Sequence, residues 1–437
     1  QRTMTQRTET PVSPVPVGRA KIRVGIIGAA GIAGGELVRL LERHPNVTIA
    51  GLQGRDRDHQ PLGESQPQLG RSGHFIETSL PPVDAVFMAL PHGASAALAP
   101  EFLEQGIAVI DQGSDYRLKD PAEYERWYDY SHPHPELLEQ AVYGLPEQHR
   151  AELQALQGAD TRLVASPGCY PTTALLGLYP LARAGLIEDV VIDAKSGVSG
   201  AGRSVKAELM FVEVNDSVKA YALGGHRHTA ELVQEIRDAG STPEANPGWS
   251  TVGFTPHLVP MNRGILATGH VRPTRAVTNE ELAELYREAY ADEYFVEFVG
   301  AAPTLATSHV RGSNFVRVSA RHDERTERIT TVSVEDNLVK GAAGQGVQAF
   351  NLVFGLPEEA GLEQLPIGPI NRALPCPPTC PSPSWPRGCR SGSRRWARPP
   401  ASRTRARPTW PWCWCTTARQ PWPPRSPPTA CRRRPCA

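Results

Sequence analysis

Apolar runs alternate with amphipathic segments along the chain from Lys21 to about Gly361. Short runs of aliphatic and β-branched residues predict buried strands at Ile22–Ile27, Val47–Leu52, Ala85–Leu90, Ala108–Asp111 and Val190–Ala194. Apolar residues at helical spacing predict helices at Gly34–Arg43, Ala94–Gln105 and Thr172–Ala184. Strands that alternate with helices in this way are typical of a parallel sheet in an α/β fold.

Both ends of the chain lack this pattern. Residues 1–20 are polar, rich in proline and threonine, and aperiodic, which predicts a disordered leader. Residues 374–437 contain 16 prolines, and proline at that density prevents regular helices and ladder strands. The same segment holds 13 arginines, 7 cysteines and 6 tryptophans, but no lysine, aspartate, glutamate or histidine.

Three interpretations of residues 374–437 are open: a zinc module, a basic disordered arm, or an out-of-frame extension. The cysteine spacings lack a paired CxxC and a set of histidine ligands, which argues against zinc. The string TWPWCWC can be written in GC-rich codons that, two bases later, encode Leu-Ala-Leu-Val-Leu-Val, a good buried strand. We therefore interpret this segment as a disordered or out-of-frame tail.

The overall charge and cysteine content exclude several classes of protein. Lysine plus arginine and aspartate plus glutamate both number 46, so the formal net charge is zero and gives no reason to expect nucleic acid or an anionic membrane as partner. No apolar run approaches the ~18 residues that a membrane span needs. Cys169 is the one cysteine in the first 373 residues, so no disulfide framework can form there. These features predict a cytoplasmic globular protein.

A glycine-rich turn follows the first predicted strand. Gly28, Gly31 and Gly34 lie between that strand and a helix. In a strand–turn–helix unit such glycines permit a tight turn, let backbone N–H groups approach a pyrophosphate, and let helix and strand pack closely. The spacing is GxxGxxG rather than GxGxxG, and a glycine-lined turn without a ligand is the alternative. We expect a dinucleotide to bind here.

The end of the second strand indicates which dinucleotide binds. A domain that binds NAD usually ends this strand with an acidic residue on the ribose hydroxyls. Here the strand ends Leu52-Gln53-Gly54-Arg55, and Arg55 is placed to meet a 2′-phosphate. A solvated surface arginine is the alternative, and Asp56, if it points at the ribose, would weaken or invert the preference. We expect NADP(H).

A cysteine and two histidines are candidates for covalent chemistry. Cys169, in the string SPGCYPT, precedes an apolar helix, and a helix N-terminus stabilises a thiolate and can lower the pKa of the thiol. The string GGHRHTAE supplies His226 and His228 before a helix that runs to about Ile236. A thiolate needs a partner that accepts and donates protons, and histidine titrates in the right range. A buried structural cysteine and histidines that merely cap a helix are the alternatives.

Cationic and hydroxyl side chains near these strings are candidates for binding an anionic substrate. The loop DAKSGVSGAGR follows a predicted strand, and its Lys195, Ser199 and Arg203 suit a phosphate or an oxyanion. Arg227 and Arg263 are candidates for a substrate carboxylate. A structural loop and solvated charges are the alternatives for these residues.

Eight strings occur along the chain in the order GAAGIAGGEL, ALPHGAS, DQGSDYRLKD, SPGCYPT, DAKSGVSGAGR, EVND, GGHRHTAE and DNLVKGAAGQGVQAFNL. In these strings the chain resembles the N-acetyl-γ-glutamyl-phosphate reductase family of arginine biosynthesis, over about Lys21–Gly361. It is similar more broadly to the aspartate-semialdehyde and glyceraldehyde-phosphate dehydrogenases, which share a cysteine mechanism. The departures are Ala30 and Ile32, where the family often has Thr and Tyr, and Gly54, where Ser is usual.

The resemblance implies an α/β fold with a Rossmann-type NADP-binding domain over residues 21–168. It implies an α+β catalytic and oligomerisation domain over 169–340, and a C-terminal helix within 341–361 that returns to the NADP domain. It further implies NADP(H) as cofactor, an acyl phosphate as substrate, and a homodimer or homotetramer. We expect no metal, no nucleic acid and no membrane as partner.

The implied reaction reduces N-acetyl-γ-glutamyl phosphate with NADPH to N-acetylglutamate 5-semialdehyde and phosphate, through a Cys169 thioester. The imidazole that exchanges the proton is implied to be His226 rather than His228. The cofactor-binding candidates are Gly28, Ala30, Gly31, Ile32, Gly34, Arg55 and Gly344. The substrate-binding candidates are Lys195, Ser199, Arg203, Arg227, Glu231 and Arg263.

Two alternative functions stay open. The same chemistry on an N-blocked α-aminoadipyl phosphate, in lysine synthesis, differs by one methylene in the substrate, which the sequence does not resolve. A non-catalytic NADP-binding regulator would not need Cys169 and a histidine pair together.

Overall fold

The computed structural model of this chain describes residues 20–55, 57–203, 205–240, 252–301 and 304–368, which contain two sheets. Apart from Ala20, the predicted leader over 1–20 lies outside the described residues, and so does the whole predicted tail over 374–437. Asp56 lies outside them as well.

The first sheet has eight strands. They are β1 (Ile22–Ile27), β2 (Val47–Gln53), β3 (Gln60–Pro61), β4 (Phe75–Glu77), β5 (Ala85–Met88), β6 (Ala108–Asp111), β7 (Val142–Tyr143) and β8 (Leu163–Ala165). Their order is β3-β4-β2-β1-β5-β6-β8-β7, and neighbouring strands run parallel except for β3 and β4. The central strands are buried on both faces, which explains their continuous apolar sequences.

Helices of the first part of the chain connect these strands. They are α1 (Ile32–Leu41), α2 (Leu62–Ser65), α3 (Ala94–Leu103), α4 (Pro121–Tyr128) and α5 (Pro146–Ala155). Helix α1 begins at Ile32, two residues before the predicted start, because the extended backbone of Gly31 caps it. Gly34 therefore lies inside the helix, and a β-carbon there would lie 2.2 Å from the Gly28 carbonyl oxygen. The missing side chain allows the close packing of turn and helix.

The second sheet has seven strands and mixed directions. They are β9 (Asp189–Gly197), β10 (Lys219–Ala220), β11 (Val252–Val259), β12 (Ile265–Arg272), β13 (Val296–Phe298), β14 (Val316–Asp323) and β15 (Arg328–Glu335). Their order is β10-β11-β9-β12-β15-β14-β13. Strand β9 is parallel to β11 but antiparallel to β12, and β15 is antiparallel to both its neighbours. Strand β9 extends beyond the predicted Val190–Ala194 because its ends alternate between buried and part-exposed residues rather than forming an apolar run.

Helices of the second part are α6 (Cys169–Arg183), α7 (Phe211–Val214), α8 (His228–Ala239), α9 (Asn279–Ala289) and α10 (Gly344–Val353). Helix α6 directly follows β8 and the short link through Gly168, so its first residue lies where the first sheet ends. Its apolar residues, among them Leu175, Leu176 and Leu181, join the core of the second sheet. Helix α6 therefore connects the two sheets and carries Cys169 at its start. None of the helices within the described ranges is both long and apolar enough to cross a bilayer.

The last described helix packs against the first sheet. A π-helical turn at Val339–Ala343 leads into α10, and Val347 and Phe350 pack with Val24 and Leu37 in one apolar core. A buried ionic network also holds the segment that leads into α10. The Lys340 ammonium donates to Glu147 Oε1 at 2.6 Å and to Gln348 Oε1 at 2.7 Å.

The Lys340–Glu147 pair generates a prediction about stability. Both side chains are fully buried, so Lys340→Met leaves a buried carboxylate without its counter-charge and should cost about 3–5 kcal/mol of unfolding free energy. Lys340→Met combined with Glu147→Leu should recover most of that loss. Breaking the exposed pair between Arg287 and Glu284 by Arg287→Ala should cost less than about 1 kcal/mol and serves as control. Denaturant unfolding measures all three variants, and equal losses in the two single variants would contradict the prediction.

Candidate active site

Cys169 is the first residue of α6, and hydrogen bonds hold the backbone of Gly168 just before it. The Gly168 N–H donates to Glu231 Oε1 at 2.7 Å, and its carbonyl accepts the Thr172 hydroxyl at 3.0 Å. A β-carbon at Gly168 would lie 2.5 Å from His228 Nε2 and 2.9 Å from Arg117 Nη1. Only glycine leaves room for these side chains so close to the backbone of the cysteine.

A cavity of about 710 Å³ opens beside Cys169. His226, His228 and Arg117 line it, so one space joins a thiol, two imidazoles and a guanidinium. Two lysines, Lys206 and Lys219, add positive charge to the same wall. Further polar lining residues are His92, Gln112, Ser114, Tyr128, Tyr170, Ser196, Glu208, Tyr221 and Arg227.

The environment of Cys169 keeps the thiol protonated. Burial, and next the nearby Glu335 carboxyl, raise the pKa of Cys169 to about 12, against a smaller lowering by Arg117. This differs from the expectation that the helix N-terminus lowers the pKa of this thiol. The physical reason is that removal from water disfavours the thiolate by more than the local cations and N–H groups recover.

Both histidines are neutral near pH 7. Burial, followed by the charge of Arg227, lowers the pKa of His226 to about 4. Burial and then its neighbour His226 hold the pKa of His228 well below the ordinary value. The centroids of the two rings lie 4.7 Å apart. The backbone N–H of His228 donates to His226 Nδ1 at 3.2 Å. The Nε2 of His226 is therefore the ring nitrogen that is left to exchange a proton in the cavity.

Arg117, which sequence reasoning did not single out, is buried beside Cys169. Its Nε donates to the Ser166 carbonyl at 2.7 Å, and its Nη2 donates to the Gln112 carbonyl at 3.2 Å. These bonds fix the guanidinium in the wall of the cavity. The string DQGSDYRLKD contained it, but nothing local in that string distinguishes a buried arginine from a solvated one.

Glu231, a candidate substrate ligand, is buried and bonded within the chain. The carboxylate is 1% exposed and accepts the Tyr143 hydroxyl at 2.6 Å in addition to the Gly168 N–H. Its second oxygen lies 3.5 Å from Arg117 Nη1. With both oxygens engaged, Glu231 holds the loop before Cys169.

Four further substrate-ligand candidates make hydrogen bonds or ion pairs within the chain. Lys195 Nζ pairs with Asp193 at 2.6 Å, and Ser199 Oγ accepts from Asn337 at 3.0 Å. Arg203 Nη2 donates to Gln66 Oε1 at 2.8 Å.

Arg263, the last of these four, forms a two-pronged ion pair. Its Nη1 and Nη2 lie 2.9 and 2.8 Å from the two carboxylate oxygens of Glu36 on α1, so the guanidinium is already occupied by a carboxylate of the chain itself. Arg227 is different, because it lines the cavity of Cys169, contacts His92 Nδ1 at 3.2 Å and stacks over Tyr128.

The glycine-rich turn has the geometry of a dinucleotide cradle. Gly28 has φ +89°, and a β-carbon there would lie 2.4 Å from the Ala89 carbonyl oxygen. Gly31 caps α1 in extended conformation, and Ala30 and Ile32 are partly exposed beside it. The first-turn N–H groups of α1 have no partner within the helix, and N–H groups of this kind suit a pyrophosphate. The residues present fit a nicotinamide dinucleotide.

The two remaining cofactor-binding candidates, Arg55 and Gly344, differ in their exposure. Arg55 is exposed two residues after the end of β2, and no side chain in the described part of the chain pairs with it. Gly344 is buried at the start of α10, where a β-carbon would lie 2.3 Å from Asn314 Oδ1. Packing against Asn314 therefore accounts for the missing side chain of Gly344.

A second cavity of about 490 Å³ adjoins the cofactor turn. Ile32 of the turn lines it together with Ser199, Lys206 and Asn262 from the second part of the chain. Lys206 and Leu209 line both cavities, so the two spaces share a wall between the turn and Cys169.

Comparison with known proteins agrees with this architecture. The family model for the semialdehyde dehydrogenase NAD-binding domain matches residues 23–156, and that for the semialdehyde dehydrogenase dimerisation domain matches residues 169–337. Among solved structures, aspartate semialdehyde dehydrogenase with NADP from Candida albicans has a TM-score of 0.57 at 17% identity, covering 78% of this chain and 99% of that one. Aspartate semialdehyde dehydrogenase II complexed with ASA from Vibrio cholerae has a TM-score of 0.56 at 19% identity, covering 77% and 98%. These likenesses confirm the predicted fold class.

Relatives of known activity are far more similar in sequence. The N-acetyl-gamma-glutamyl-phosphate reductase of Symbiobacterium thermophilum is 47% identical over 359 residues, which cover 80% of this chain and 99% of the relative. That of Dehalococcoides mccartyi strain CBDB1 is 46% identical over 349 residues, covering 79% and 98%. This similarity shows that the chain belongs to the N-acetyl-gamma-glutamyl-phosphate reductase family.

Proposed function

We propose that this chain reduces N-acetyl-γ-glutamyl phosphate to N-acetylglutamate 5-semialdehyde with NADPH, releasing phosphate, in arginine biosynthesis. The observation that carries the proposal is the cavity in which Cys169, two neutral imidazoles and a buried guanidinium meet. The relatives at 46 and 47% identity are named for this activity. Neither the aminoadipyl substrate nor a non-catalytic regulator is favoured by them.

The chain's own residues perform the acyl transfer. Because the thiol of Cys169 is protonated, its proton must leave as sulfur attacks the acyl carbon, and the neutral His226 ring is able to accept it. The sulfur–carbon bond forms, the carbon–oxygen bond to phosphate breaks, and phosphate departs with the electron pair. NADPH, when bound, supplies the hydride that reduces the resulting thioester. The thiohemiacetal then releases the aldehyde, and Cys169 recovers its proton from the imidazole.

Positive charge in the cavity matches an anionic substrate. Arg117 is fixed by backbone carbonyls, and Arg227, Lys206 and Lys219 line the same space. We assign Arg117 to the acyl phosphate, because its guanidinium lies against the Gly168–Cys169 backbone where the phosphate departs. Arg227, nearer the surface beside Tyr128, is assigned to the substrate carboxylate.

The cofactor is assigned to the first sheet, within residues 21–168. Gly28, Gly31 and Gly34 shape the turn, Ala30 and Ile32 border it, and the N–H groups at the start of α1 receive the pyrophosphate. Arg55 is assigned to the 2′-phosphate of NADP(H), because it is exposed beyond β2 with its guanidinium uncommitted among the described residues.

The chain carries a semialdehyde dehydrogenase dimerisation domain, and we propose a homodimer or homotetramer. Large apolar side chains between Val205 and Leu223, including Phe211 and Val212 at 75% exposure, lie in that domain and suit a protein contact. We also propose a cytoplasmic location, because the mechanism requires Cys169 to stay reduced.

The nucleophile gives the first functional prediction. Cys169→Ser should lower kcat by about 10³-fold or more, because a hydroxyl is a much poorer nucleophile than sulfur near neutral pH. Binding of NADPH, followed by its fluorescence, should survive. Retention of more than a tenth of the wild-type turnover would contradict a covalent route.

The acid/base residue gives a prediction about pH. His226→Ala should lower turnover about 10²–10⁴-fold, and His228→Ala should lower it less. Burial lowers the pKa of His226 to about 4, so the ring is neutral at pH 7 and gains a proton only as the pH falls towards that value. An NMR titration, with His226→Gln to assign the signal, should therefore show no protonation between pH 8 and about 5.5. A midpoint near the ordinary value of about 6.5 would be the contrary result.

Arg55 gives a prediction about cofactor choice. A guanidinium offers charge-assisted hydrogen bonds to a 2′-phosphate, worth about 1.5–3 kcal/mol, or roughly ten- to a hundredfold in affinity. We expect wild type to prefer NADPH, and Arg55→Ala to lose most of that preference with little change in NADH use. Steady-state kinetics with both cofactors make the comparison. Equal or better efficiency of the wild type with NADH would contradict the assignment.

A further inference from the structure

Gln66 is a buried polar residue that touches the cofactor turn from behind. It lies between α2 and the 3₁₀ turn Pro67–Ser72 and is 1% exposed. Its Nε2 donates to the Gly31 carbonyl at 2.6 Å and also lies 3.2 and 3.4 Å from the carbonyls of Ala30 and Ala29. Three consecutive carbonyls of the glycine-rich turn therefore converge on one amide nitrogen.

The oxygen of the same side-chain amide accepts hydrogen bonds. Gln66 Oε1 accepts from Arg203 Nη2 at 2.8 Å and from Gln68 Nε2 at 2.8 Å. Arg203 Nη1 also donates to the Ser65 carbonyl. Only one orientation of the Gln66 amide places its nitrogen on the carbonyls and its oxygen on the donors, so the contacts fix that orientation.

Gly35 makes this contact possible. A β-carbon at Gly35 would lie 2.3 Å from Gln66 Nε2 and 2.5 Å from its amide carbon. Gly35, which follows Gly34 in the sequence, therefore lacks a side chain because Gln66 occupies that space, and not because a nucleotide does.

The contact sets the direction of the peptide groups in the turn. In a trans peptide the carbonyl and the N–H of the following residue point in opposite directions. Carbonyls of Ala29 and Gly31 that point to Gln66 therefore turn the N–H groups of Ala30 and Ile32 away from it. Those N–H groups lie on the open side of the turn, where the proposed pyrophosphate is received.

We propose that Gln66 is a positioning residue for the dinucleotide, and that Arg203 holds Gln66 in place from the loop that follows β9. This inference rests on the proposed binding of NADP(H) at the glycine-rich turn. Gln66 acts through the backbone of the turn and makes no contact with the reacting atoms. Because it acts on the pyrophosphate side, its loss weakens NADPH and NADH alike, unlike the loss of Arg55.

The test measures dissociation constants of NADPH and NADH by fluorescence titration of the full chain. Gln66→Glu keeps the partner of Arg203 but presents a carboxylate to the three carbonyls, and Gln66→Leu removes both contacts at similar volume. We expect each variant to raise both dissociation constants about tenfold or more. Gln157→Glu is the matched control, because its amide donates to the Leu352 carbonyl instead, and it should change neither constant more than twofold.

A double-mutant cycle tests the role of Arg203. Arg203 is exposed, so Arg203→Met tests the proposal even if a variant at Gln66 fails to fold. We expect Arg203→Met to raise both constants about threefold or more, and to add nothing further when combined with Gln66→Leu. Fully additive effects, or no effect of Arg203→Met, would overturn the link from Arg203 to Gln66.

The outcomes separate this inference from the function on which it rests. If wild type binds neither dinucleotide, the proposed function fails. If wild type binds and folded Gln66 variants bind equally well, the function stands and the positioning role is overturned. A loss confined to NADPH would also overturn it, because the contact does not reach the 2′-phosphate.

Discussion

No β-carbon fits at Gly168, where one would lie 2.5 Å from His228 Nε2 and 2.9 Å from Arg117 Nη1. Two other parts of the chain lie against the backbone of this glycine. Arg117 arrives from the segment after β6, while His228 and Glu231 arrive from α8. The Gly168 N–H bonded to Glu231 then fixes the backbone from which Cys169 begins α6. The geometry of the site follows from a missing side chain as much as from those present.

Burial also shifts the ionisation of the groups in this site. It raises the pKa of Cys169 and lowers that of His226, so the thiol and the imidazole that line the cavity are both neutral near pH 7. Burial also raises the pKa of Glu335, a neighbour of Cys169, well above its ordinary value. Arg117 and Glu231 form a buried ion pair beside the thiol, with Arg117 Nη1 3.5 Å from Glu231 Oε2.

Local demands of the backbone explain which site residues the sequence could predict. Short strings indicated the tight turn at Gly28, the helix near Cys169 and the two histidines near the start of α8, although α6 begins at Cys169 and not at the predicted Thr172. The strand and helix pattern likewise predicted β1 and β6 to the residue, and the family resemblance was confirmed. The antiparallel pairing of β9 with β12 could not be predicted from the sequence, because strand direction depends on partners far away in the chain.

The positively charged side chains that line the cavity were harder to predict. The sequence at the end of a strand does not reveal which face of the sheet borders the cavity. On β9 neighbouring residues point to opposite faces. Ser196 lines the cavity of Cys169, whereas Lys195 pairs with Asp193 on the other face. A shift of one residue thus separates a cavity residue from a surface ion pair. Arg117 was missed for the related reason that burial of a charge is decided by distant partners.

Two arginines that were expected at the substrate instead join the second part of the chain to the cofactor side. Arg263 binds both oxygens of Glu36 on α1, and Arg203 holds Gln66 behind the glycine-rich turn. Hydride transfer needs its donor and the thioester within van der Waals contact, and a displacement of 1 Å is enough to cost about 10²-fold in rate. The proposed thioester forms on Cys169 of α6 and the dinucleotide is assigned to the first sheet, so their separation depends on how firmly these segments are joined. Guanidinium groups with two-pronged contacts are well suited to that task, since they fix direction as well as distance.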